Sequence, residues 1–128
     1  MLASENRPKV FLAMMTWMIG HGHLRESIQS ILDQSYSDFQ LYIYDDYSPE
    51  DPTDIIDNFL ILDNRVTYVR STLRLGMCAA SSFVLNNAPK DTTYFAWISD
   101  HDIYDNNWLK ENIKKLEANK HAIISYPL

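Results

Sequence analysis

Apolar and polar positions in this chain switch between two periods, and the switches divide it into alternating elements. Lys9 to Met15, Phe39 to Tyr44, Val66 to Arg70, Tyr94 to Ile98 and Ala122 to Tyr126 are short apolar runs rich in aromatic and branched residues. Bounded by polar or turn-forming residues, each predicts a strand. Between them the spacing lengthens. Leu24, Ile28, Ile31 and Leu32 recur at helical intervals, with Arg25, Glu26, Gln29 and Asp33 turned outward. Thr53 or Asp54 is placed to cap a second helix carrying Ile55, Ile56, Phe59 and Leu60. Gly76 opens a third, with Ala79, Ala80, Phe83, Val84 and Leu85, and Trp108 to Asn119 predicts a fourth with Leu109, Ile113 and Leu116 on one face. Thr16 to His23, Ser48 to Thr53 and Pro89 to Asp91 read as loops. Strands alternating with helices predict βαβ units, hence an α/β fold with a mostly parallel sheet and right-handed crossovers.

Composition narrows the class. At 128 residues, with a hydrophobic share of 46%, residues 1–128 are expected to form one domain with a real core. No apolar stretch approaches the roughly 20 residues of a membrane span, and the start of the chain lacks the basic flank and apolar centre of a signal peptide. Cys78 is the one cysteine, which excludes an internal disulfide and fits a reducing compartment. Its place on an alanine-rich helix predicts a core position. A formal charge of −6 with no basic patch argues against nucleic acid as a partner.

Two acidic clusters carry the candidate chemistry. Leu41 to Tyr44 runs into Asp45 and Asp46, and Tyr94 to Ile98 runs into Ser99, Asp100, His101 and Asp102. Open α/β sheets bind ligands at the carboxyl ends of their strands. Two carboxylates flanking one residue there can share a hard cation or bond a ribose hydroxyl. A carboxylate such as Asp46 can accept from the N–H of a base. Trp17, after Thr16 at the end of the first strand, offers an indole face for stacking, and Arg74, just before Gly76, offers a phosphate-binding guanidinium. The pair His21 and His23 has no third ligand nearby and reads as loop. Ser81 and Ser82 lack a His and Asp at triad spacing. No dinucleotide or P-loop glycine signature is present.

The order of these pieces resembles the nucleotide-sugar-binding half of a family 2 glycosyltransferase of the GT-A fold. Met15-Thr16-Trp17-Met18 is similar to the motif that ends the family's first strand. Leu24 to Tyr36 matches its first helix, and Asp38 to Ser48 matches its Asp-Phe-Glu-Leu-Ile-Ile-x-Asp-Asp-Gly-Ser segment, with Tyr47 in the glycine's place. Arg74 to Ser82 and Tyr94 to Tyr104 correspond to its later motifs, so the likeness covers nearly the whole chain from Pro8.

The resemblance implies a GT-A (Rossmann-like) α/β/α sandwich and an inverting transfer of sugar from a nucleotide diphosphate, most often UDP, to a glycan or other hydroxyl acceptor. It implies Mg²⁺ or Mn²⁺ as cofactor. Met15, Thr16, Trp17, Asp45, Asp46, Arg74 and Asp100 are the implied nucleotide-binding set, with Trp17 stacking on the base, Asp46 reading the uracil edge and Asp100 on the ribose side. The family's metal aspartate falls on His101, so either His101 ligates or Asp100 and Asp102 form the pair. Ser81 and Ser82 replace an Arg-Asn of the family. The family's acceptor half and catalytic base lie downstream of the metal motif. These 128 residues are therefore expected to be the donor-binding part of a longer, polysaccharide-building enzyme, cytoplasmic or peripheral at the inner face of the membrane. Alone they are expected to transfer little sugar and to self-associate as a homo-oligomer through an uncovered edge near Ala122 to Tyr126.

Two other classes compete. A receiver-type phosphorylation domain has similar length and alternation, but carries its acidic pair after the first strand and a lysine after a late one, and Ala122 to Leu128 has none. A catalytically inactive nucleotide-binding or assembly module is separated from an enzyme by a transfer assay.

Overall fold

Four of the five predicted strands pair into one sheet: β1 (Val10–Thr16), β2 (Phe39–Asp45), β3 (Val66–Arg70) and β4 (Tyr94–Ile98). Four helices connect and follow them, α1 (Leu24–Leu32), α2 (Thr53–Leu62), α3 (Met77–Asn86) and α4 (Trp108–Ala118). The structure is a computed structural model and describes residues 7–17 and 22–126. Met18 and His21 lie outside the described residues.

Every strand pair is parallel, in the order β3-β2-β1-β4. The central strand β1 has neighbours on both sides, so Val10 to Met14 are all buried, as expected of a run apolar throughout rather than alternating. Strand alternation still sorts the side chains. Val10, Leu12 and Met14 join Leu41 and Ile43 in a core closed by Leu24, Ile28 and Ile31 of α1, Ile56 and Phe59 of α2, and Leu109 and Ile113 of α4. Phe11 and Ala13 join Tyr42 and Tyr44 under Ala80 and Val84 of α3. Helices thus cover both faces, at about 1.5–3 kcal/mol for each fully buried aliphatic or Phe side chain.

Register sets where the strands end. Thr16 is opposite Asp45, and Asp45 opposite Arg70, so β1 and β2 run one residue further than their apolar runs. The chain builds β1, β2 and β3 in one direction and then returns to place β4 on the other side of β1. The carboxyl ends of β1 and β4 therefore flank a topological switch point, where such sheets open a crevice.

Two expectations are corrected. Ala122 to Tyr126 is not a strand. It pairs with no strand of the sheet and instead runs beside α4, where the Ser125 hydroxyl donates to Asn112 Oδ1 at 2.6 Å, and Ile123 is 93% exposed. The second is Cys78, which is exposed. Only the stripe of α3 through Ala80 and Val84 is fully buried against the sheet, and a residue two positions before Ala80 is turned to the far side of the helix. Among the described residues no helix is long and apolar enough to cross a membrane.

Candidate functional site

A cleft of about 770 Å³ opens at the switch point, within the range that accommodates small ligands. Met15, Thr16 and Trp17 from the end of β1, Asp46 after β2, Arg74 and Gly76 before α3, and Asp100, His101 and Asp102 after β4 all line it. A smaller hollow at the opposite, amino end of the sheet is lined by Lys9, Asp38, Arg65 and Asp91. There Lys9 pairs with Asp91 at 2.5 Å and Arg65 with Asp63 at 2.7 Å.

Thr16 holds the two acidic clusters together. It is 2% exposed, its carbonyl accepts the Asp46 N–H at 2.9 Å, and its hydroxyl donates to Asp100 Oδ2 at 2.7 Å. A buried hydroxyl between two strand ends satisfies its own hydrogen bond while fixing a carboxylate beside it.

Asp46 faces α3. Its two oxygens accept the backbone N–H groups of Leu75 at 2.8 Å and Gly76 at 2.9 Å. The carboxylate thereby anchors the loop at the point where Gly76 takes φ 81°, left-handed backbone that glycine adopts without a Cβ penalty. One residue back, the Arg74 guanidinium lies over the Trp17 ring, 3.7 Å from its centroid. Both residues are exposed, so this cation–π contact forms part of the cleft surface.

Asp45, expected in the nucleotide-binding set, is placed off the cleft that the other members of that set line. It is completely buried and does not line the cleft. Its Oδ1 accepts the Ser48 N–H at 2.8 Å, and its Oδ2 accepts from the Tyr68 hydroxyl at 3.0 Å and from Arg70 Nη1 at 3.2 Å. Arg70 Nη2 also donates to the Ser48 carbonyl at 2.9 Å. A buried charge needs this degree of pairing to be tolerated. Burial, reinforced by Asp45, pushes the Tyr68 hydroxyl well above its ordinary range, so Tyr68 stays a donor. The network braces a tight turn in which Tyr47 takes φ 62°, unusual for a residue with a side chain.

The second cluster is more open. Asp100 Oδ1 meets His101 Nδ1 at 2.8 Å, and the side chains are 14% and 70% exposed respectively. That hydrogen bond and the Asp100 charge hold the imidazole above its usual 6.5. The Ser99 N–H donates to the Tyr104 hydroxyl at 3.0 Å, and the Tyr104 N–H to Ser30 on α1 at 3.1 Å. Gln34, just after α1, accepts the Leu109 N–H at 2.9 Å, satisfying an otherwise orphan donor at the start of α4. The loop carrying Asp100 to Asp102 is thus held at both ends. Asp102 is exposed.

Sequence reasoning missed Trp97, Met77, Ser81 and Tyr104 as cleft residues. Trp97 ends the aromatic run of β4 and is 44% exposed. A large aromatic at the last turn of a strand, next to the polar cluster, is the signal that marked it.

Among the described residues no three His, Cys, Asp or Glu side chains are grouped to hold a metal alone. Asp100 and Asp102 do fit the way Mg²⁺ is commonly held, by one or two carboxylates with substrate phosphates and water completing the shell. The donors are hard oxygens, and each Asp100 oxygen keeps a lone pair beyond its hydrogen bond.

Solved structures share this architecture. The mannosyltransferase PcManGT from Pyrobaculum calidifontis, in complex with GDP-Man and Mn²⁺, superposes with a TM-score of 0.73 at 18% identity, over 86% of this chain and 32% of that one. S. aureus TarS 1-349, in complex with UDP-GlcNAc, gives 0.74 at 15% identity over 86% and 31%. At such identities the likeness shows the fold alone, the GT-A α/β sandwich. Among curated proteins, an uncharacterized glycosyltransferase of Haemophilus influenzae is 28% identical over 104 residues, 81% of this chain but 40% of its own length. The chain spans about 40% of the length of curated relatives that it matches. Residues 22–127 match Glycosyl transferase family 2, and the chain belongs to that family.

Proposed function

We propose that this chain forms the donor site of an inverting glycosyltransferase that takes a nucleotide-sugar, a UDP-sugar in the first instance, with Mg²⁺ or Mn²⁺. The observation that carries the reading is the convergence of Trp17, Asp46, Arg74, Asp100 and Asp102 on one cleft at the switch point. The family and the nucleotide-sugars named for its structural neighbours support the same class of donor.

In this reading the indole of Trp17 supports the base, and the Asp46 side accepts from its edge. The carboxylate keeps acceptor capacity, since each oxygen uses one lone pair on a backbone N–H. Asp100, fixed by Thr16, faces the ribose and the diphosphate. Asp100 and Asp102 hold the cation, which when bound neutralises the departing diphosphate. The general base that takes the acceptor's proton, and the surface that orients the acceptor, come from residues outside these 128. The share of the relatives' length that the chain spans is consistent with that division.

Titration of UDP with and without Mn²⁺ tests the site. Binding strengthened by Mn²⁺, and tighter for UDP than for ADP, is expected. Equal affinity in chelator removes the metal from the site, and preference for ADP removes the uracil contact. Sugar transfer is expected only from a polypeptide that includes the acceptor half; rapid acceptor-dependent UDP release by this chain would place the base within it.

A further inference from the structure

The contact between Arg74 and Trp17 is more specific than a surface pairing requires. The guanidinium sits 3.7 Å from the ring centroid, the separation of two flat groups in van der Waals contact, and so covers the face that a base would use. Its backbone pivot is fixed, because the next two N–H groups are tied to Asp46. Movement is thus confined to the long, exposed Arg74 side chain. The charge balance of the cleft gives that movement a destination. Three carboxylates line it, Asp46, Asp100 and Asp102, while among the described lining residues Arg74 is the one permanently charged cation. A diphosphate entering these surroundings meets repulsion that a cation held by Asp100 and Asp102 relieves on one side and Arg74, turned toward it, relieves on the other.

Building on the donor-site reading above, we infer that Arg74 is a two-position residue. In the free cleft its guanidinium occupies the Trp17 ring in place of a base. When a nucleoside diphosphate binds, it yields the ring to the base and carries its charge to the diphosphate. One residue then opposes the base and favours the phosphates, so the site selects against nucleosides that lack a diphosphate. Arginine suits both positions, since its planar guanidinium stacks on an indole and also forms paired hydrogen bonds to phosphate.

The two roles have opposite signs in a single variant. Removing Arg74 removes a competitor for the ring, so uridine binding by Arg74→Ala is expected to tighten roughly two- to five-fold, the equivalent of an exposed cation–π contact. The same variant loses a charge-assisted contact to phosphate, worth about ten-fold or more, so even after the gain at the ring UDP binding is expected to weaken by a net factor of about three or more. Arg74 is exposed, and its replacement leaves both cores untouched. The experiment is calorimetric titration of this chain and of Arg74→Ala with uridine and with UDP, in Mn²⁺, with Trp17→Ala as the control that locates the base. The expected pattern is a gain for uridine, a loss for UDP, and a loss of both in Trp17→Ala. If Arg74→Ala weakens uridine as well as UDP, the guanidinium and base sandwich the indole together and the exchange is overturned. If it changes neither, Arg74 has no role in the site. If the unmodified chain binds no UDP, the donor-site reading itself fails and takes this inference with it.

Discussion

The two acidic clusters begin alike, each at the carboxyl end of an apolar strand, and the fold gives them opposite fates. Asp45 lies between β1 and β3, opposite Thr16 on one side and Arg70 on the other, and has no exposed surface. Its hydrogen bonds are directed at Ser48, Tyr68 and Arg70. Asp100 and Asp102 follow β4, an edge strand with β1 as its one neighbour in the sheet, and there the segment from Ser99 to Asp102 remains partly or fully open. A carboxylate flanked by strands on both sides becomes part of the scaffold, whereas one at the switch point stays available to a ligand. Asp46 stands between these cases: 7% exposed, tied to the α3 loop, yet still on the cleft wall.

Substitutions can break this contrast, and the largest effect belongs to the buried acid. Asp45→Ala leaves the Tyr68 hydroxyl and the Ser48 N–H without their acceptor, while Arg70 keeps Asp51 and the Ser48 carbonyl, and a buried donor left unsatisfied costs about 1–3 kcal/mol. Chemical denaturation should show a loss of that order; a change under about 1 kcal/mol would mean that Asp45 is not a brace. Asp102→Ala should do the reverse. As an exposed side chain it should leave stability within about 0.5 kcal/mol, while the strengthening of UDP binding by Mn²⁺ falls at least about ten-fold, as expected for a lost metal contact. Unchanged Mn²⁺ dependence would leave Asp100 and His101 as the metal side of the cleft.

The smallest effect concerns protonation. His101 should titrate above 6.5 by NMR, held there by the hydrogen bond and charge of Asp100. Asp100→Asn should bring the value back toward 6.5. Because the folded value is the raised one, the pair's contribution to stability is complete below the unfolded histidine pKa and disappears as pH rises through the folded pKa. An unshifted imidazole, or one indifferent to Asp100→Asn, would dissolve the pair.

Much of this architecture is local and was legible. The strands from Val10, Phe39, Val66 and Tyr94, and the helices from Leu24 and Trp108, follow from apolar periodicity, which each segment carries on its own. The acidic residues could be assigned to strand ends for the same reason. Ala122 to Tyr126 has the same apolar content as a strand but not the neighbour that a strand requires, and periodicity does not report neighbours. Cys78 fails similarly: a helix's composition does not say which stripe the sheet will cover.

What the sequence by itself determined was therefore the α/β alternation, the family likeness and the set of residues bearing chemistry. Tertiary structure alone decided how that set divides. Asp45 and Asp46 are adjacent and chemically identical, but the ladder register directs the first to Arg70, 25 residues on, and the second to Leu75 and Gly76. Trp17 and Arg74 are far apart in the chain, and Thr16 reaches Asp100 across 84 positions. The physical reason is that hydrogen bonds and cation–π contacts act over a few ångströms, and only tertiary packing brings such distant residues within that range: β4 beside β1 for Thr16 and Asp100, and the loop before α3 tied to Asp46 for Trp17 and Arg74.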